Sequence, residues 1–121
     1  MRLVQVAQFS SDLDRSSEFY SALLDARPVA RFDPPGLLFF DLGTTRLMLE
    51  SRATPALIYL DVDLITTALD RIAAHTQPHV IFRHDDDRHG PAGTDEWQAF
   101  VTDPDGNLVG LVEFRASAGT Q

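Results

Sequence analysis

The chain has no cysteine, so disulfides, thiolate catalysis and zinc–thiolate sites are all excluded, and metal chemistry is left to oxygen and histidine ligands. It has no apolar run near the roughly 20 residues needed to cross a bilayer. It also shows no basic start followed by an apolar stretch that would mark export, so the expectation is a cytoplasmic protein with no membrane partner. Basic residues are scarce as well: 10 against 18 acidic ones give a formal charge of −8. The arginines are scattered rather than gathered into a stripe, which argues against a nucleic-acid partner. What is present is 44% apolar content over 121 residues, enough for the core of one domain.

The order of the pattern is more informative than its composition. Residues 3–24, LVQVAQFSSDLDRSSEFYSALL, read as an apolar strand, a turn ending in an acid and an amphipathic helix, and residues 55–76, PALIYLDVDLITTALDRIAAHT, repeat that order. Each copy then runs into further strands, LLFFDLGTTRLMLE in the first and WQAFVTDPDGNLVGLVE in the second. Two units that cannot each bury a core alone must share one.

Ser11 is positioned to cap the first helix, with Asp12 and Asp14 in its first turn, where negative charge favours the helix dipole. Leu13, Ser17, Phe19, Tyr20, Leu23 and Leu24 form its inward stripe. In the second helix Asp63 is the expected cap, and Leu64, Ala68, Leu69 and Ile72 the buried side. Strands are expected at 27–33, 37–42, 46–51, 56–62, 79–83, 97–101 and 108–114, besides the first at 2–9. The segment HDDDRHGPAGTD is too polar and too rich in Gly and Pro for anything but loop. The predicted fold is α+β: two βαβββ modules, residues 2–52 and 55–114, forming a curved mixed sheet around a cleft with helices outside, and a tail at 115–121.

The two units, the DLxxSxxFY element at Asp12–Tyr20 and the DPDGN turn at Asp103–Asn107 together resemble the vicinal oxygen chelate superfamily, the group of glyoxalase I, bleomycin-resistance proteins and extradiol dioxygenases. The likeness covers residues 2–114. It implies a cleft in which metal-dependent relatives hold an ion with one residue from the first and one from the last strand of each unit. Carried onto this chain, those positions fall on Gln5, Met48, Leu57 and Gly110. Only Gln5 offers a usual ligand. Glu50 shares a face with Met48, so a small shift in alignment would bring in a carboxylate, whereas Glu113 faces away. An aliphatic side chain and a glycine cannot bind a cation, and Gln5 with Glu50 would supply two protein ligands where catalytic zinc sites commonly have three.

The expectation is therefore no cofactor and no metal site, with Zn, Ni, Fe or Mn held by Gln5 and Glu50 as the alternative. Tyr59 and Asp61 share the strand face of Leu57 and should look into the cleft. Tyr59 reads equally as a ligand hydrogen-bond donor and as a packed ring with a wet hydroxyl, and Trp97 as a stacking surface or an apolar anchor. Glu50 is a candidate general base, although no complete catalytic set is legible. The loop from His84 to His89 is a candidate lid or loose metal-binding run. His75 and His79 read as surface or strand-end residues. Two functional readings are open: a small-molecule-binding homodimer of the bleomycin-resistance kind, and a metal-dependent lyase or isomerase of the glyoxalase or epimerase kind.

Overall fold

The computed structural model describes residues 1–75, 81–83 and 90–117. The described elements are β1 (Gln5–Phe9), α1 (Leu13–Leu24), β2 (Ala30–Phe32), β3 (Leu37–Asp41), β4 (Arg46–Glu50), β5 (Ile58–Asp61), α2 (Ile65–Arg71), β6 (Phe82–Arg83), β7 (Thr94–Thr102) and β8 (Leu108–Ala116). Both βαβββ modules are present. Their strands form two mixed four-stranded sheets, β1-β4-β3-β2 and β5-β8-β7-β6, rather than the single sheet expected from sequence. In each sheet the first strand pairs in parallel with the last, and the other pairings are antiparallel.

The break between the sheets has a local cause. Where the chain before β5 approaches β1, the fully buried side chain of Gln8 binds both main-chain groups of Ala56: its Oε1 accepts from the Ala56 N–H at 2.8 Å and its Nε2 donates to the Ala56 carbonyl at 2.6 Å. A primary amide offers the same donor and acceptor as a peptide. One glutamine thus takes the bonds that a ladder between the modules would use, and β5 begins only at Ile58.

Helix α1 is capped by Asp12, not Ser11. The Asp12 carboxylate accepts from the Asp14 and Arg15 N–H groups, while Ser11 turns outward and donates through its N–H and hydroxyl to Asp105. Helix α2 lacks a side-chain cap of its own: Leu64 holds the N-cap position in place of Asp63, and the Glu113 carboxylate accepts from the Ile65 N–H at 2.8 Å. Ala68 and Ile72 are buried and Leu69 packs partly against the core, as expected, but starting the helix at Ile65 buries that residue and leaves Leu64 exposed.

The helices cover one face of the sheets and share one core, with Phe19, Tyr20 and Leu23 from α1 meeting Phe40, Leu47 and Leu49 from the first sheet and Val101, Val109 and Leu111 from the second. A second polar weld crosses this core. The Tyr20 hydroxyl donates to Asp103 Oδ2 at 2.7 Å, and Asp103 Oδ1 accepts from the Asp105 and Asn107 N–H groups at 2.9 Å each. Asn107 Nδ2 donates to Asp103 Oδ2 and to the Phe9 carbonyl. Burial first, then the Asp103 charge beside it, pushes the Tyr20 hydroxyl far above the ordinary tyrosine value, so it stays a neutral donor. The DLxxSxxFY helix and the DPDGN turn are the two halves of this contact. Arg71 of α2 adds donations to the Ala22 and Leu23 carbonyls, satisfying acceptors near the end of α1.

Candidate functional site

Strand alternation sends one set of side chains toward the helices and the other onto the opposite face, the one to which the superfamily resemblance assigns a cleft and which is called the cleft face below. On the first sheet that face carries Gln5, Ala7 and Phe9 of β1, Phe39 and Asp41 of β3, and Arg46, Met48 and Glu50 of β4. On the second it carries Tyr59 and Asp61 of β5, Gln98 and Phe100 of β7, and Gly110 and Val112 of β8, with half-exposed Leu57 just ahead of β5.

Gln5 and Met48 meet: the Gln5 Nε2 lies 3.7 Å from the Met48 sulfur. The other end of the Gln5 amide is also occupied, because Arg46 Nε donates to Gln5 Oε1 at 2.7 Å. The Arg46 guanidinium carbon sits 5.6 Å from the centre of the Phe39 ring, within cation–π range. Glu50 does not join this group. Register places Gln5 opposite Arg46 and Glu50 opposite Phe9, so the two prospective metal ligands stand four residues apart along the sheet, about 13 Å by strand rise. Glu50 instead lies 3.8 Å from Arg52. Among the described residues no three His, Asp or Glu side chains converge as a metal would require.

Gly110 pairs with Tyr59 on one side and Phe100 on the other. The Tyr59 ring fills the space a side chain at 110 would need: a Cβ there would come within 2.5 Å of Tyr59 Cδ1 and 3.1 Å of Phe100 Cε1. Tyr59 meets Phe100 edge-on at 5.7 Å between ring centres, and Phe82 stacks on Phe100 at 6.1 Å. The tyrosine is therefore a wall of the cleft face rather than an isolated ring, and its outer part is exposed.

Trp97 departs from its expected place in the cleft. It pairs with Glu113, on the helix side of the sheet, and packs against the core with the Arg115 guanidinium carbon 4.2 Å from its ring centre. The physical reason is alternation: Gln98 and Phe100 take the cleft face, so Trp97 and Ala99 cannot. Arg115 Nε in turn donates to Glu113 Oε2 at 2.8 Å. Burial pushes the Glu113 carboxyl up, but the bonds from Arg115 and the Ile65 N–H and the Arg115 charge outweigh it and hold the group below the ordinary glutamate value. The run from His84 to His89, and His79, lie outside the described residues.

A cavity of about 790 Å³ lies among the ends of α1 and β3, strand β5 and helix α2, bordered by Asp25, Asp41, Tyr59, Asp61, Asp63 and Arg71 among others. It reaches the cleft face only at its edge, and Gln5, Met48, Glu50 and Gly110 do not line it. The cleft-face chemistry lies beside this cavity, in the Gln5–Arg46–Phe39 group and the aromatic wall. Arg46 was missed as a partner of Gln5 because its place depends on the parallel offset between β1 and β4, which spacing along the chain does not give.

Among solved structures the chain resembles three in particular. An antibiotic binding protein, TnmS3, from Streptomyces sp. CB03234 is 18% identical, with TM-score 0.65 over 95% of this chain and 97% of that one. A lactoylglutathione lyase from Agrobacterium tumefaciens is 21% identical, with TM-score 0.64 over 93% and 92%. A glyoxalase/bleomycin resistance protein/dioxygenase from Alicyclobacillus acidocaldarius is 16% identical, with TM-score 0.65 over 93% and 91%. At these identities the likeness speaks for the fold. No curated protein matches the sequence. The sequence model that does match spans residues 2–111, nearly the whole chain with both βαβββ modules, and on that match the chain belongs to the glyoxalase/bleomycin resistance protein/dioxygenase superfamily.

Proposed function

We propose that this protein binds a small organic molecule on its cleft face without a resident metal, as a cytoplasmic homodimer. The observation that carries the reading is the occupancy of the positions the superfamily resemblance assigns to an ion. The Gln5 oxygen already accepts from a guanidinium, Met48 and Leu57 bring no hard donor, and Gly110 lies under the Tyr59 ring. A cation seated at Gln5 would have to displace Arg46 and then bear its charge nearby. The residues present do not fit the metal, and no chemical step is assigned to one.

What the face offers is recognition. The aromatic wall of Tyr59, Phe100 and Phe82 gives a flat apolar surface, and the Gln5–Arg46 pair gives a polar point. The metal-dependent alternative needs Gln5 and Glu50 at one centre, and their separation along β1 and β4 counts against it. Glu50 as a general base is tested by Glu50→Gln: an unchanged pH dependence of ligand affinity would dispose of that role. Leu3, Val4, Leu57 and Tyr59 are exposed along the open strand edges, which favours a second copy covering them.

The decisive experiment is elemental analysis of the purified protein beside a thermal-shift screen with divalent ions and with antibiotic, thioester and α-dicarbonyl compounds. Substoichiometric metal and stabilisation by an organic compound alone are expected. A stoichiometric, tightly held ion would overturn the reading, and light scattering that gives a monomer would remove the dimer.

A further inference from the structure

We propose that Arg46 is the anchor of the cleft and that it takes the carboxylate of a small organic acid with an apolar body. The inference rests on the metal-free binding reading and goes beyond it by naming the ligand class and the group that recognises it.

The guanidinium is held in place from two directions. Its Nε is tied to Gln5 Oε1 at 2.7 Å, and its guanidinium carbon lies over the Phe39 ring, 5.6 Å from the ring centre. A guanidinium has five N–H donors in a fixed fork, and the bond from Nε uses only one. The end-on edge formed by the two terminal nitrogens is left facing away from Gln5, and that edge matches the two oxygens of a carboxylate. Among the described residues no carboxylate lies within ion-pair distance of Arg46. Asp41, its cross-strand neighbour, is the nearest by register, yet its Oδ1 accepts from the Gly43 N–H at 2.8 Å and closes its own turn.

The next rung along the sheet indicates what the acid must carry. Ala7, Met48 and Phe39 lie side by side there, all apolar and all only partly buried. A ligand with its carboxylate on Arg46 lays an aryl or branched aliphatic body over that rung. With a net charge of −8 the protein as a whole repels anions, so binding of an acid reports on this local fork and not on a general attraction.

The test uses the whole chain and three probes of one shape: benzoate, its neutral amide benzamide, and the cation benzamidine. The Arg46 Nε–Hε resonance is identified by its disappearance in Arg46→Lys, and titrations follow that signal and the backbone amides. Benzoate is expected to shift it saturably, and benzamide and benzamidine to bind at least tenfold more weakly. Arg46→Met should weaken benzoate at least tenfold, and Arg46→Lys, which keeps the charge and loses the fork, by less. Because Arg46 is exposed, both variants should keep the wild-type backbone spectrum. Equal binding of benzamide or benzamidine, unchanged benzoate affinity in Arg46→Met, or no saturable shift up to roughly 10 mM benzoate, where even millimolar affinity reads out, would overturn the inference. Metal content of the same samples separates the two failures. A stoichiometric ion sinks the metal-free reading and this one with it, whereas metal-free protein that binds the neutral probe as well as the acid sinks only the role of Arg46.

Discussion

The two modules share an arrangement of strands and differ at nearly every cleft-facing position. The central rung of the first sheet is Ala7, Met48 and Phe39, and the matching rung of the second is Tyr59, Gly110 and Phe100. Small faces large in both, but the sizes have changed strands: alanine on β1 answers tyrosine on β5, and methionine on β4 answers glycine on β8. One rung away, Gln5 and Arg46 correspond to Leu57 and Leu108, and on the other side Phe9 and Glu50 correspond to Asp61 and Val112. The backbone pattern is common to both modules and the side chains differ, with the Arg46 guanidinium on the first sheet and a flat aromatic surface on the second. Two unlike halves make one site only if their relative position is fixed, and that falls to the buried polar contacts across the seam.

Cutting those contacts should have the largest effects. Asp103→Ala removes the acceptor of Tyr20 and of the Asp105 and Asn107 main-chain N–H groups together, and leaves the Asn107 side chain with only its bond to the Phe9 carbonyl. A loss of roughly 3 kcal/mol or more in urea unfolding is expected, since hydrogen bonds to charged groups contribute about 1.5–3 kcal/mol each and are not additive. A loss under about 1 kcal/mol would mean the weld is not what holds the modules. Gln8→Ala should cost about 2 kcal/mol, because it leaves both main-chain groups of Ala56 and the N–H of Phe9 without their partner. The same variant tests why the sheets are separate. If Gln8 stands in for a ladder, hydrogen exchange of the residue 56 amide should accelerate far more than that of β4.

Much of this arrangement was legible in the sequence. The repeat gave both modules, and alternation along ALIYLD gave the shared face of Leu57, Tyr59 and Asp61, because both signals are local and periodic. Alternation also placed Glu113 on the far face, though not its contact with the Ile65 N–H, which joins residues 48 apart. What sequence could not give was offset between strands. Gln5 and Glu50 looked like possible partners because nothing in their spacing says that β1 and β4 pair in parallel with Arg46, and not Glu50, opposite Gln5. Of the two readings of Trp97 the apolar anchor holds, and sequence could not choose between them for a related reason: its face follows from where β7 begins, at Thr94, inside a segment read as loop. Nothing local in the sequence marks Gln8 as the residue that joins the modules, because its partner, Ala56, lies 48 positions along the chain.

The size exchange between the modules gives a smaller test with a sign that can be argued in advance. Alanine in place of Gly110 should be favoured on backbone grounds by about 0.4–1 kcal/mol, since it narrows the unfolded chain and Gly110 does not occupy the left-handed region. Against this, the new Cβ falls 2.5 Å from the Tyr59 ring, and overpacking of that kind costs about 1–3 kcal/mol. Clash wins, and Gly110→Ala should destabilise by about 1–2 kcal/mol while the ring swings off Phe100. Removing the ring first reverses the balance: in a Tyr59→Ala background the same change should be neutral or stabilising. Equal costs in both backgrounds would show that the tyrosine does not depend on the bare glycine.

The smallest expected effect concerns the Glu113 carboxylate behind the aromatic wall, for which the first sheet has no counterpart. Its folded value is depressed, so its contribution is fully present above the unfolded glutamate value, about 4.3, and is lost as the pH falls through the lower folded value. Glu113→Gln keeps an oxygen for the Ile65 N–H and removes the pairing with Arg115, whose guanidinium also stacks on Trp97. It should cost about 1 kcal/mol at neutral pH, and its thermal midpoint should fall less steeply than wild type below about pH 4. Parallel acid limbs for the two proteins would mean that the charge on Glu113 is not what fastens α2 to the second sheet.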